Sequence, residues 1–231
     1  MKTALAIFAK TPELSPVKTR LALDFGQTNA QTFYRMSVDA VEEMALTAKE
    51  LSKNTIDLFW AMPEKQAAEQ KKTKSFPVLW TGGNGLGESL ANISEELLGR
   101  YKQVILIGTD SPQLKPSVIL KTVDKLSSKP DSSVIGPSTD GGFYLFGSNT
   151  RIPRDIWSRV AYSRENTLKQ LLTQLENSGY TVSMISEEID VDHFDDLNLL
   201  YQTFRDNQND MLPEQRNLYI WLKQRLLHLK N

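Results

Sequence analysis

Short apolar segments alternate with longer amphipathic segments along this chain, and no other feature limits its possible folds as strongly. The segments at 3–9, 55–62 and 103–110 are short, largely apolar, and followed by polar or proline residues. Between them, residues 28–52 and 87–100 place apolar side chains at helical spacing. Strands separated by helices predict a three-layer α/β/α architecture, in which helices cover both faces of a mostly parallel sheet.

The second half of the chain continues the alternation and adds one irregular step. Strands are predicted at 132–138, 141–148 and 180–186, and helices at 164–178 and 194–206. The first two of these strands are joined through a DGG stretch, which favours a tight reversal. The sheet is therefore expected to be mixed, with either a mixed edge or one reversed strand.

The length of the chain, 231 residues, suits one domain with an appended segment. Residues 1–206 carry the strand and helix alternation, and residues 207–217 form a polar, linker-like stretch. Residues 218–230 have an amphipathic helical pattern. We therefore expect a main domain at 1–206 and a C-terminal linker and helix at 207–231. That helix packs on its own domain or on a partner subunit, which would make a homodimer.

Composition excludes several classes of function. The net charge is -1, so no charge excess points to nucleic acid or to an acidic membrane surface. No segment approaches the about 20 apolar residues of a membrane span. The chain has no cysteine, which rules out a disulfide scaffold, a thiolate zinc site and a cysteine nucleophile. This composition fits a reducing compartment, and we expect a cytoplasmic protein.

Polar residues gather where the predicted strands end. Ligands of open α/β sheets bind beyond the carboxyl ends of the strands, so these residues are the candidates for a site. Along the chain they are Lys10, Lys18 and Arg20, then Thr109, Asp110 and Ser111, then Asp140, Gly141 and Gly142, and finally Asp190 and Asp192.

This set pairs cations with carboxylates at one edge of the sheet. Lys10, Lys18 and Arg20 are suited to phosphate oxygens. Isolated carboxylates at strand ends suit Mg²⁺ or Mn²⁺, which keep coordination positions for water and phosphate. Together they predict a site for a nucleotide with two or three phosphates. Each feature also has an ordinary structural explanation, since charged helix starts are usually solvated and acids often cap helices.

Five motifs in order along the chain carry a resemblance to a known family. They are FAKTPELSPVKTRL, GTDSPQL, GPSTDGGFYLFG, WSRVAYSRENTL and IDVDHFDDL. Over about residues 5 to 200 the chain resembles a family of small bacterial proteins, most of them uncharacterised, with a glycosyltransferase-A-like (GT-A, Rossmann-like) nucleotide-diphospho-sugar transferase fold. That family is related to the nucleotidyltransferases that attach guanylate to molybdenum cofactor and to phospholactate.

The resemblance implies how the nucleotide is held. The loop with Lys10, Lys18 and Arg20 would bind its base and phosphates, and base contacts are expected near Phe8 and Ala9. Ser15-Pro16 stands where the family usually has Pro-Gly.

It also implies a metal ligand and an acceptor pocket. Asp110 would be the metal carboxylate, joined by Asp190 or Asp192, with Thr109 and Ser111 orienting it or contacting ribose. Such folds often carry D-x-D at this place. Here the residue two before Asp110 is Gly108 and the residue two after it is Pro112, so the full motif is missing.

The same resemblance gives the DGG turn a part in the acceptor or sugar pocket. Asp140 would reach that pocket, either as a base or as a ligand of a sugar hydroxyl. Gly141 and Gly142 would allow the substrate to approach closely.

Three functions remain open from the sequence. The first is metal-assisted transfer of a sugar from a nucleoside-diphosphate sugar to a small-molecule acceptor, with Lys18 and Arg20 stabilising the leaving diphosphate. The second is nucleotidyl transfer with release of pyrophosphate, although the Gly-rich loop L-x-G-G-x-S-x-R-M is missing. The third is a nucleotide-binding protein without catalysis, which the incomplete D-x-D favours.

Overall fold

The centre of the molecule is one mixed β-sheet. The structure, a computed structural model, describes residues 2–66, 75–82 and 84–228. Within these ranges the sheet has seven strands. They are β1 Thr3–Phe8, β2 Ile56–Met62, β3 Val78–Trp80, β4 Gln103–Ile107, β5 Ser132–Pro137, β6 Phe143–Ser148 and β7 Thr181–Met184.

The strand order is β3-β2-β1-β4-β6-β5-β7. β6 runs antiparallel to both of its neighbours, and the other pairs are parallel. The predicted mostly parallel, mixed sheet is confirmed. The reversed strand lies inside the sheet and not at its edge, because the tight turn after β5 places β6 between β5 and β4.

Helices lie on both faces of the sheet. In the described part of the chain they are α1 Thr19–Phe25, α2 Gln27–Leu51, α3 Leu86–Leu98, α4 Pro116–Ser128, α5 Arg154–Ser158, α6 Thr167–Asn177, α7 Phe194–Asp206 and α8 Pro213–His228, with a 3-10 turn at Gln208–Asp210. None of these described helices combines the length and the apolar character that crossing a bilayer requires.

Two hydrophobic cores follow from the two-residue repeat of the strands. Along β1, Leu5 and Ile7 pack on one face with residues of α2 and α4. Ala4 and Ala6 pack on the other face with residues of α3, α5 and α6. The three-layer architecture is therefore built from strands that are buried on both sides, as parallel strands usually are.

A third cluster lies beside the sheet and is made mainly by helices, with Val191 of the loop before α7 among its buried members. The first half of α2 packs there with α1, α7 and α8. Leu218 and Leu222 of α8 are fully buried in this cluster. The C-terminal helix thus contacts helices of its own chain, while the boundary at residue 206 and any contact with a partner subunit stay predictions.

The topology places a crevice beside the end of β1. β1 pairs with β2 on one side and with β4 on the other, so the connections leave it in opposite directions. Such a switch point is where open α/β sheets bind ligands. The loops that follow β1 and β4 reach this crevice together with the loop between β7 and α7.

Candidate active site

A cleft of about 750 Å³ opens at the switch point, a volume within the usual range of ligand sites. Twelve of the thirteen predicted site residues line it. They are Phe8, Ala9, Lys10, Lys18, Arg20, Thr109, Asp110, Ser111, Asp140, Gly142, Asp190 and Asp192. The exception is Gly141, which is not among the lining residues.

Three carboxylates meet at the centre of the cleft. Asp110 follows β4, whereas Asp190 and Asp192 belong to the loop between β7 and α7. One carboxylate oxygen from each lies within 4.8 Å of the others. The Val191 N–H donates to the Asp110 carbonyl at 2.9 Å, which joins the two loops. We call these three aspartates the acidic triad.

The acidic triad fits a divalent cation in both chemistry and spacing. Mg²⁺ prefers oxygen ligands at about 2.1 Å, so ligands on opposite sides of the ion lie about 4.2 Å apart. Three ligands of one octahedral ion cannot all lie opposite one another, so at least two of the three pairs must be adjacent, about 3 Å apart. The oxygens of the triad lie within 4.8 Å of one another, so they would draw closer around a bound ion.

The ammonium group of Lys18 lies against the acidic triad. Its side chain is only 3% exposed, and Nζ lies 2.7 Å from Asp110 Oδ1 and 3.2 Å from Asp192 Oδ1. Nζ also donates to the Val191 carbonyl. Burial acts to lower the pKa of Lys18, but the attraction of the three carboxylates outweighs it and raises that pKa above its ordinary value.

The backbone of the loop between β1 and α1 is unusual at Lys18 itself. Lys18 precedes α1 with φ 47° and ψ 43°, a left-handed conformation. Neither Ser15 nor Pro16 has a positive φ. The left-handed residue of this loop is therefore Lys18, and neither residue of the Ser15-Pro16 pair adopts that conformation.

Arg20 contributes a second, more accessible cation. Its Nη1 lies 3.3 Å from Asp192 Oδ2, and its side chain is half exposed. Burial acts to raise the pKa of Asp192, but the charges of Lys18 and Arg20 hold that pKa below its ordinary value. Arg20 is thus placed at the rim of the cleft, where a ligand can reach it.

Asp190 is the most perturbed member of the triad. Burial and the negative charges of Asp110 and Asp192 raise its pKa to about 8, against the opposing attraction of Lys18. The Ser111 hydroxyl donates to Asp190 Oδ1 at 3.3 Å. Asp190 is therefore the triad member whose negative charge this environment disfavours most.

The DGG turn separates the roles that the resemblance gave to its residues. Asp140 Oδ1 accepts from the Ser138 hydroxyl at 2.5 Å and from the Gly142 N–H at 2.9 Å. Gly142 lines the cleft. Gly141 has φ +86°, and a Cβ there would lie 1.9 Å from the Glu165 carbonyl oxygen. Gly141 therefore packs closely against the neighbouring loop, and its part in substrate approach stays a prediction.

Tyr34 is a cleft residue that sequence reasoning missed. It lines the cleft from α2, and its hydroxyl accepts from the Lys10 N–H at 2.7 Å and donates to the Lys10 carbonyl at 3.0 Å. Burial raises the pKa of Tyr34 to about 12. No signal in the sequence singled it out, because an aromatic residue on an amphipathic helix looks like any core residue.

The loop before α6 forms a cleft wall that was also missed. Tyr162, Ser163 and Arg164 line the cleft there. The loop is braced by the Thr167 hydroxyl, which accepts from the Arg164 N–H at 3.1 Å and donates to the Ala161 carbonyl at 2.9 Å. The motif WSRVAYSRENTL was a signal for this wall, although no residue in it was given a role.

Solved structures with a similar fold define the fold class of this chain. A protein from Desulfovibrio desulfuricans, provisionally described as a nucleotide-diphospho-sugar transferase, matches with a TM-score of 0.81 and 23% identity over 97% of this chain and 99% of its own. A Leptospira borgpetersenii cytidylyltransferase matches with a TM-score of 0.57 and 13% identity over 97% and 94%. A Methanothermobacter nucleotidyl transferase matches with a TM-score of 0.53 and 13% identity over 89% of this chain and 99% of its own. The chain has the nucleotide-diphospho-sugar transferase fold.

The sequence itself places the chain in a family within that fold. A family described as uncharacterized protein conserved in bacteria (DUF2064) matches residues 44–164, and the chain belongs to it. No curated protein matches the chain significantly. The expected membership of a little-characterised bacterial family with this fold is confirmed.

Proposed function

We propose that this protein is a transferase that uses a nucleoside-diphosphate sugar and passes the sugar to a small-molecule acceptor. The observation that carries the proposal is the meeting of the acidic triad with Lys18 and Arg20 in one cleft at the switch point. Distant parts of the chain bring three carboxylates and two cations together there. Carboxylates for a divalent cation beside cations for phosphate oxygens are a combination that suits a metal-bound diphosphate.

The acidic triad would hold Mg²⁺ or Mn²⁺, which would supply Lewis-acid stabilisation of the departing diphosphate. The chain adds its own positive charge from Lys18 and Arg20. Arg20 is half exposed and presents a planar fork that suits two phosphate oxygens. Because these groups are already in place before the reaction, they stabilise developing charge without a large reorganisation.

The rest of the cleft is assigned to base and sugar. Phe8, Ala9 and Lys10 lie at the end of β1, where Tyr34 holds the backbone of Lys10 in place, and we assign the base to this end. Asp140 uses Oδ1 for the turn, which leaves Oδ2 as the oxygen for an acceptor or sugar hydroxyl.

A second candidate is nucleotidyl transfer from a nucleoside triphosphate. It is favoured by the names of two proteins with this fold, a cytidylyltransferase and a nucleotidyl transferase. The same triad and cations would then act on a triphosphate, and pyrophosphate would leave. Release of pyrophosphate rather than of a nucleoside diphosphate separates this reaction from sugar transfer.

A thermal-shift panel tests the site before any substrate is known. Nucleoside diphosphates and triphosphates are added at near-millimolar concentration, with and without Mn²⁺, to the wild type and to D110N. We expect at least one nucleotide to raise the melting temperature of the wild type, more so with Mn²⁺, and D110N to lose the Mn²⁺-dependent part.

Two outcomes would contradict the proposal in different ways. If no nucleotide stabilises the wild type, the cleft is not a nucleotide site. If a nucleotide binds equally well without Mn²⁺ and to D110N, the protein binds nucleotides without the metal-assisted chemistry.

A further inference from the structure

The ammonium group of Lys18 already contacts carboxylate oxygens that a divalent cation bound by the acidic triad would need as ligands. Its Nζ lies 2.7 Å from Asp110 Oδ1 and 3.2 Å from Asp192 Oδ1. The same ammonium also donates a hydrogen bond to the backbone carbonyl of Val191. With a side chain only 3% exposed, Lys18 is enclosed by the groups that neutralise it. Arg20, in contrast, is half exposed and contacts one triad member.

We propose that Lys18 is an internal counter-ion that keeps free divalent cations out of the acidic triad, so that a divalent cation binds only together with a nucleotide. This inference rests on the proposed function and adds an order of binding to it. Lys18 thereby acts on the metal site through Asp110 and Asp192, and it does not itself bind the cation.

The argument is one of charge at short distance. An ion bound about 2.1 Å from Asp110 Oδ1 would lie close to an ammonium that already contacts the same oxygen. Two cations so near each other repel strongly, and burial reduces the screening by water. A diphosphate changes the balance, because it adds negative charge and offers the ammonium a new partner. The nucleotide then makes room for the cation and binds it as well.

Lys10 provides a matched control in the same cleft. It lines the cleft, but its ammonium forms no hydrogen bond or ion pair with any residue in the described ranges. Replacing Lys10 by methionine removes the same charge from the same cavity without touching the triad. Any difference between K18M and K10M therefore reports the contact with the carboxylates and not the general field of the cleft.

The experiment measures binding of Mn²⁺ alone to the full chain, from the loss of the free-ion EPR signal. We expect K18M to bind Mn²⁺ tighter than the wild type by about tenfold or more, since a repelling charge has gone. K10M is expected to behave as the wild type does. Tight Mn²⁺ binding by the wild type, or no gain in K18M, would overturn the proposal.

A second measurement on the wild type keeps the test open if K18M does not fold. Mn²⁺ alone should leave its melting temperature unchanged, while Mn²⁺ with a nucleoside diphosphate should raise it beyond the effect of the nucleotide alone. A rise with Mn²⁺ alone would refute the role of Lys18. A panel in which no nucleotide has an effect would instead refute the proposed function, and the comparison of K18M with K10M would still decide about Lys18.

Discussion

Gly141 shows how strictly a single position in this fold is constrained. Its φ of +86° disfavours any other residue, and a Cβ would lie 1.9 Å from the Glu165 carbonyl oxygen. We expect G141A to lower the free energy of unfolding by about 3 kcal/mol or more, because the backbone of the 159–166 loop must move. Urea unfolding followed by circular dichroism gives the value.

Gly179 is the matched control for this substitution. It has a similar φ of +80°, yet no atom lies within 4 Å of an added Cβ. G179A therefore carries the backbone strain alone, about 1 kcal/mol. Equal losses in the two variants would show that the contact between Gly141 and the loop does not matter.

At the level of residues, the charged side chains at the centre of the candidate site were easier to predict from the sequence than the residues of the cleft walls. Asp110 was predicted from its place after a buried strand together with the resemblance of its motif, since a strand-end carboxylate alone is also explained by helix capping. Tyr34 and Arg164 were not, since their chemistry appears only when the backbone of Lys10 and the far wall are in place. The contact of Gly141 with Glu165 depends on a loop whose path no local pattern describes.

The C-terminal helix α8 illustrates what an element adds to stability. Leu222 is fully buried among α2, α7 and α1, whereas Ile220 on the same helix is 48% exposed. L222A is expected to cost about 2–5 kcal/mol of unfolding free energy, the usual range for a buried leucine. I220A should cost far less, about 0.5 kcal/mol.

Chemical denaturation of both variants checks this difference. If L222A were as stable as I220A, the helix would not be an integral part of the fold, and a position on a partner subunit would regain support. The same comparison therefore bears on the proposed boundary at residue 206.

Elements were predictable where their pattern was long and unmixed. β4 is a continuous apolar run and α2 has a long helical repeat, and both were located to within a few residues. α5 has five residues, too few to show a repeat. The DGG turn predicted a reversal of chain direction between β5 and β6. The pairing of β6 with β4 is a long-range contact that the turn itself does not encode.

At the scale of the whole molecule, α2 connects two of the hydrophobic clusters. Its Val41 and Met44 pack in the core against the sheet, while its Ala30 and Phe33 pack in the helical cluster with α8. Because one continuous helix belongs to both, we expect the chain to unfold in a single cooperative transition. Far-UV and near-UV circular dichroism should then give the same midpoint.

A separate early transition would contradict this expectation, particularly one that disappears when residues 207–231 are removed. The C-terminal segment would then be an independent unit, as a linker followed by a loosely attached helix would be. Calorimetry of the full chain and of the shortened chain distinguishes the two cases.

Fold class was predictable from the alternation of strands and helices, whereas strand order was not. Periodicity says which residues are buried but does not say which strands are neighbours. The site could still be predicted in outline, because carboxyl ends of parallel strands meet at one edge whatever their order. Asp190 and Asp192 reach Asp110 in this way across about a third of the chain.

Val191 links regions that would otherwise seem unrelated. Its side chain is buried in the helical cluster with α8, its N–H holds the Asp110 carbonyl, and its own carbonyl holds Lys18. A displacement of those helices would thus be passed through the backbone of this one residue to Asp110 and Lys18. Substitutions far from the cleft can therefore alter the chemistry of the cleft. A search for inactivating mutations that is limited to cleft residues would overlook them.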